Sequence, residues 1–137
     1  MENTLHPQLT LLQINALPAL SLAYIGDAVF ELMVRTALCA AIPGKHGALH
    51  KKAVSCVRAE AQAALTGRLL PLLTEEETGF YRRGRNAHVN SIPKNATASE
   101  YSKATGVEAL FGALYLLGRQ ARAEELYAAV TEEHHAV

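Results

Sequence analysis

The stretch from Leu17 to Ala40 constrains the fold more than any other. Leu20, Tyr24, Ala28 and Leu32 repeat at the spacing of one helical face, and Ile25, Val29 and Met33 at that of the adjoining face. An apolar stripe therefore wraps most of a helical cylinder, and a helix of that kind belongs at the centre of a helical protein. Set into it are Gly26, which costs roughly 1 kcal/mol against alanine in a helix interior, and Asp27, the only aspartate in the chain. Neither assists helix formation, so the reason for them lies elsewhere. Either Gly26 permits close packing while Asp27 is satisfied by a local hydrogen bond or an arginine, or the carboxylate marks a site.

A second stretch repeats the pattern. Thr97-Ala98-Ser99-Glu100 is a capping box, and the apolar run it opens, ending near Gly118, holds Glu108 between Gly106 and Gly112. Packed side by side, the two helices would bring Asp27 and Glu108 together. Two such carboxylates repel and lose solvation, so one takes a proton or a cation lies between them. With oxygen ligands only and no Cys or His nearby, that cation is Mg²⁺ or Mn²⁺. Beside a basic groove, such an ion equips a protein for phosphodiester hydrolysis, because it polarises a phosphate and lowers the pKa of an attacking water.

A length of 137 residues suits one domain, residues 1–137. Half the residues are hydrophobic, tryptophan is absent and alanine and leucine dominate, a composition that favours an all-α fold. No apolar run is long enough to span a bilayer, and the start Met1-Glu2-Asn3-Thr4 lacks the basic character of a signal peptide. The expectation is a soluble, cytoplasmic protein without a membrane partner. Cys39 and Cys56 fall in helical patterns without a CxxC or His-rich partner, which points to buried free thiols. The formal net charge is zero, yet Arg35 to Lys103 carries 11 Lys and Arg against 5 Glu. Such segregation can set a basic surface beside a carboxylate cluster.

The remaining elements follow from local signals. Leu5–Ile14 is weakly amphipathic, a short helix or turn, and Pro18 suits a first helical turn. A helix over Ala48–Leu65 would turn Leu49, Ala53, Val57, Ala61 and Ala64 inward, with Gly67 closing it. Thr74-Glu75-Glu76-Glu77 is another capping box with an acidic first turn. The helix it starts ends at Arg82-Arg83-Gly84-Arg85-Asn86, followed by an irregular stretch, Ala87–Ala96, that holds His88 and Pro93-Lys94-Asn95. The basic end favours the helix dipole, but Arg82, Arg83, Arg85, Asn86, Lys94 and Asn95 together look more like a phosphate-contacting edge. Arg119–His135 reads as a terminal amphipathic helix with Ala123, Leu126, Tyr127 and Val130 inward.

Leu22-Ala23-Tyr24-Ile25-Gly26-Asp27-Ala28-Val29-Phe30-Glu31 resembles the signature helix of the ribonuclease III endonuclease domain, and Val107-Glu108-Ala109-Leu110-Phe111-Gly112-Ala113-Leu114-Tyr115 is similar to that family's second catalytic helix. With Arg82–Ala87, Pro93-Lys94-Asn95 and Tyr101–Gly106, and without a double-stranded-RNA-binding domain, the chain more specifically resembles the bacterial Mini-ribonuclease III family. The similarity runs from Leu17 to Leu126. It implies an all-α helical bundle of the ribonuclease III type that acts as a homodimer and cuts double-stranded RNA with Mg²⁺ to leave 5′-phosphate and 3′-hydroxyl ends. It further implies trimming of precursor 23S ribosomal RNA, with a large-subunit ribosomal protein as a candidate presenter of the substrate. By motif position, Asp27 and Glu108 match the family's metal-holding catalytic acids.

The chain departs from ribonuclease III proper at two places. Ala23 stands where that family has a glutamate one turn before the aspartate, and Thr105 where it has an aspartate three residues before the second glutamate. A single well-held ion fits the acids that remain, since Mg²⁺ keeps several waters readily. Glu31, one turn after Asp27 on the same face, suits two roles, orienting a metal-bound water or pairing with an arginine across the dimer, and the second is the expectation. The departures also motivate an alternative, a non-catalytic RNA-binding or ribosome-assembly module on the same fold, and a helical interaction domain with no RNA partner is a third reading.

Overall fold

A computed structural model describes residues 3–41, 59–87 and 97–135, and among these every regular element is helical. The first helix, α1 (Leu11–Ala16), starts later than the expected Leu5. Thr10 and Gln13 form a capping box, with the Gln13 amide donating to Thr10 Oγ1 at 3.2 Å and the Thr10 amide to Gln13 Oε1 at 2.9 Å. Helix α2 (Ala19–Ala41) follows, its first carbonyl acceptor being Pro18. Helix α3 is described over Ala59–Leu69 and runs into a 3₁₀ turn, Leu70–Leu72. Helices α4 (Glu75–Arg85) and α5 (Ala98–Leu116) begin at the two expected capping boxes, on Thr74 and Thr97. Gly118, at φ +80°, closes α5 and leads into α6 (Gln120–His135).

The centre of the molecule is α5 and not α2. From Ala104 to Leu114 every α5 residue except Glu108 is buried, and α2, α3, α4 and α6 all pack against it. A helix buried all round must be apolar all round, and that section of α5 meets the requirement. Helix α2 buries a single stripe, Leu22, Ala23, Gly26, Phe30, Val34 and Leu38, while Leu20, Tyr24 and Leu32 are 44%, 84% and 63% exposed. Both of its faces are apolar, so the spacing of hydrophobic residues did not single out the buried one. Phe30 anchors the inner stripe with edge-on contacts to Phe111 and Tyr127, the ring centroids lying 5.6 Å and 5.7 Å apart.

Helix α3 differs from expectation in phase and in length. Its buried residues are Gln62, Leu65, Thr66 and Leu69; Ala64 is exposed and Ala61 half-buried. This stripe continues past Gly67, whose position has open space around it, so the helix stops only where the turn containing Pro71 begins. Residues 48–58 of the expected helix, with Cys56, lie outside the described residues. Cys39 is free and exposed, contrary to the expected buried thiol, because its neighbour Leu38 takes the inward position on α2. In α6, Ala123, Leu126 and Val130 point inward as their spacing requires.

Candidate active site

The two carboxylate helices meet backbone to backbone. A Cβ placed on Gly26 would lie 1.6 Å from the Glu108 carbonyl oxygen, and one on Gly112 would lie 1.9 Å from the Leu22 carbonyl oxygen. No side chain fits between α2 and α5 at this crossing, which explains a glycine on each despite its cost to helix stability. The residue after Gly26 is Asp27, and the crossing sets it against Glu108, where the two carboxyls share a hydrogen bond. Asp27 is exposed and Glu108 largely covered. Of the two expected buried acids, one therefore faces solvent, and the pair has an open side and a closed side.

Burial, then the hydrogen bond to Asp27, then the charge of Asp27 push the Glu108 carboxyl up from 4.5 to about 8. Near neutral pH Glu108 thus tends to keep its proton, which a hard divalent cation bound at the two acids would displace. The donor set fits such an ion, since it consists of carboxylate oxygens with an open side for water and for a phosphate oxygen. No group of three or more His, Cys, Asp or Glu that could hold a metal occurs among the described residues. An ion here would take two side-chain ligands and fill its other positions with water, as Mg²⁺ does readily.

At the positions where carboxylates are missing, the structure has closed the space. Ala23 is buried against the core, and the buried Thr105 hydroxyl donates to the Tyr101 carbonyl at 2.9 Å. Glu31 accepts from Arg35 one turn further along α2, so within the chain it already has an arginine partner.

A second glycine crossing positions the basic edge. A Cβ on Gly84 would lie 2.5 Å from the Thr105 carbonyl oxygen, and one on Gly106 would lie 2.6 Å from the Tyr81 ring. Gly84, which the sequence sets among the arginines of the phosphate-contacting edge, thus lets α4 lie against α5 two residues from Glu108. Sequence reasoning passed over this contact, whose signal was the small pair Gly84 and Gly106. The last turn of α4 then presents Arg82, Arg85 and Asn86 to solvent. Arg85 Nε donates to Asn86 Oδ1 at 3.4 Å, and its guanidinium stands 6.0 Å from the centre of the Tyr81 ring. Arg83, expected beside them, turns into the body of the protein. It donates from Nη1 to the Ile14 carbonyl at 3.3 Å and from Nη2 to the Leu17 carbonyl. Lys94, Asn95 and His88 lie outside the described residues.

The family described as Ribonuclease III domain matches residues 20–119 of the chain, a span that contains both glycine crossings, both acids and the three arginines. Proteins named Mini-ribonuclease 3 are similar over most of their length. The protein from Symbiobacterium thermophilum is 45% identical over 116 residues, covering 85% of this chain and 89% of that one. The protein from Gloeobacter violaceus is 43% identical, covering 90% of each. A crystal structure from Fusobacterium nucleatum superposes with a TM-score of 0.80 at 28% identity, covering 89% of this chain and 98% of that one.

Proposed function

The chain belongs to the ribonuclease III family of endoribonucleases, and from that premise we propose that it cleaves double-stranded RNA at Asp27 and Glu108 with Mg²⁺, or Mn²⁺ in its place. The observation that carries the reading is the glycine crossing of α2 and α5, which seats one acid from each helix in contact at the edge of the core. When bound there, a divalent ion supplies positive charge to a phosphate and lowers the pKa of a water. The protein's own part is positional. Asp27, on the open side, meets an incoming strand first. Glu108, held in the closed wall by Gly112 and Gly106, keeps its carboxyl in one place, and the site recovers its second negative charge when Glu108 gives up its proton.

Arg82, Arg85 and Asn86 would contact the phosphate backbone, and Lys94 and Asn95 keep the same proposed role from the sequence alone. A-form RNA is read largely by shape and backbone, and the few charges on this edge imply modest, salt-sensitive binding. The exposed row Leu20, Tyr24, Ala28 and Leu32 runs along α2 beside Asp27. An apolar row of this kind is suited to burial against a second copy, and a homodimer would present one site to each strand of a duplex. Precursor 23S ribosomal RNA in the cytoplasm is the proposed substrate, with a large-subunit ribosomal protein as its candidate presenter.

Asp27→Asn is the direct test. Cleavage of duplex RNA in Mg²⁺ is expected to fall at least about a thousandfold, roughly 4 kcal/mol of transition-state stabilisation, while thermal unfolding stays at or above that of the wild type. Wild-type products in the folded variant, or products that persist in EDTA, remove the mechanism. RNA binding with no metal-dependent products would instead favour a binding module. For the dimer, Leu32→Asp should shift the mass in sedimentation from two copies to one, and an unchanged mass excludes this face.

A further inference from the structure

Arg83 sits between two arginines of the proposed phosphate edge, yet its guanidinium is spent elsewhere. Helix α1 has no basic residue in its last turn, and its closing carbonyls need donors. The Leu17 amide donates to the Ile14 carbonyl at 3.1 Å, and Arg83 adds to it from α4, spanning the Ile14 and Leu17 carbonyls with its two Nη atoms. Ile14 is fully buried, and Leu17 is the residue immediately before Pro18, whose carbonyl accepts from the Ser21 and Leu22 amides as α2 begins. One side chain thereby ties the last turn of α4, which carries Arg82 and Arg85, to the corner from which the Asp27 helix departs. Asp27 lies ten residues beyond Leu17 and eight beyond the first residue of α2, the latter about 12 Å along the helix axis. Over that span α2 is held at two points, by Arg83 at its start and by the Gly26–Gly112 crossing near its middle.

We infer that Arg83 is a positioning residue that sets the separation between the phosphate edge and the carboxylate pair, and that it does not contact RNA. The inference rests on the proposed phosphate edge and refines it. Its physical basis is the fork of the guanidinium, which reaches two carbonyls at once where a lysine ammonium acts as a point charge. A shift of this corner by about 1 Å would misplace a phosphate held at the edge relative to the acids, a displacement that can cost on the order of a hundredfold in rate.

The experiment compares Arg83→Met with Arg82→Ala and Arg85→Ala in three measurements: the salt dependence of binding to a labelled duplex RNA in EDTA, single-turnover cleavage in Mg²⁺, and amide exchange of the free protein. Arg82→Ala and Arg85→Ala should each flatten the slope of log affinity against log salt by roughly 0.9. Arg83→Met should keep the wild-type slope and speed exchange at Ser21 and Leu22 about tenfold or more. Its cleavage rate should fall at saturating RNA with little change in half-saturation, and its products should spread to neighbouring phosphodiesters. A slope loss in Arg83→Met equal to that of Arg82→Ala overturns the inference, and so does unchanged exchange at Ser21 and Leu22. Where Arg83→Met does not fold, Arg83→Lys decides. It keeps the charge and loses the fork, so wild-type slope with faster exchange supports the inference, while wild-type exchange and cleavage overturn it. Unchanged slopes in Arg82→Ala and Arg85→Ala would refute the phosphate edge itself and leave the exchange measurement, made without RNA, to judge the tie.

Discussion

Glu77, which is buried, and Glu108, which is partly buried, are acids on packed helices that the protein treats in opposite ways. Glu77, at the start of α4, is 3% exposed and meets Arg122 of α6 through two 2.8 Å bonds, while the Thr74 amide donates to it at 2.9 Å. The Arg122 guanidinium holds its carboxyl below the ordinary value despite burial. Arg122 also donates to the Leu72 carbonyl at 2.8 Å and to Glu125, so it binds α4, the 3₁₀ turn and α6 together. Glu108 has another acid where Glu77 has an arginine, and its carboxyl rises to about 8. One corner is neutralised by an arginine, and the other sets acid against acid. Stability is stored at the first corner and withheld at the second, as expected where a fold gives up stability to hold a binding site.

Gly112→Ala should break this contrast most severely. Its methyl would sit within 1.9 Å of the Leu22 carbonyl oxygen, so α2 and α5 must separate at a cost of about 3 kcal/mol or more. Denaturant titration should show that loss, and any folded fraction should lack cleavage because the acids no longer meet. Arg122→Leu should cost about 2–4 kcal/mol by stranding the buried Glu77 carboxylate, with cleavage per folded molecule unchanged. A variant of wild-type stability would show that the ion pair merely offsets its own desolvation.

Proton linkage separates the two acids by sign. Glu77 has a lowered folded pKa, so its contribution is present above 4.5 and is lost as pH falls through the folded value. Glu108 has a raised one, so the folded protein is favoured below 4.5 and loses that advantage as pH climbs to about 8. Glu108→Gln should therefore melt higher than the wild type in EDTA at pH 8, by a few kcal/mol at most given about 1.4 kcal/mol per tenfold change in proton affinity. The gap should close by pH 4. Added Mg²⁺ should raise the wild-type melting temperature and leave Glu108→Gln unmoved, and a pH-independent gap would mean that the acids do not couple. The smallest effect is a control. Gly79→Ala, on α4 with open space around it, should stabilise by roughly 0.5–1 kcal/mol, a glycine effect opposite in sign to that at the crossing.

Much of this was legible without coordinates wherever the physics is short-ranged. The capping boxes at Thr74 and Thr97 involve partners three residues apart, and the helices start where those boxes predict. The pairing of a glycine with an isolated acid in two apolar helices likewise announced that the helices approach closely there. The errors arose where two local solutions were equally good. Helix α3 carries small residues on adjoining faces, so its phase was read one residue off, and α2 is apolar on both the buried stripe and the exposed row. Arg82, Arg83 and Arg85 are chemically alike in the sequence, and only the placement of α1 against α4 gives Arg83 two carbonyls and leaves its neighbours in solvent.

The chain by itself determined that it would be helical, where α4 and α5 begin, and which two acids had no reason to be in a core. Those properties depend on interactions within one or two helical turns. Tertiary structure decided that α5 and not α2 lies at the centre, that Asp27 is exposed while Glu108 is half-buried, and that Glu77 is neutralised by Arg122 from another helix. Burial and charge pairing are set by which surfaces meet, and that depends on contacts between residues tens of positions apart, to which helical periodicity carries no information.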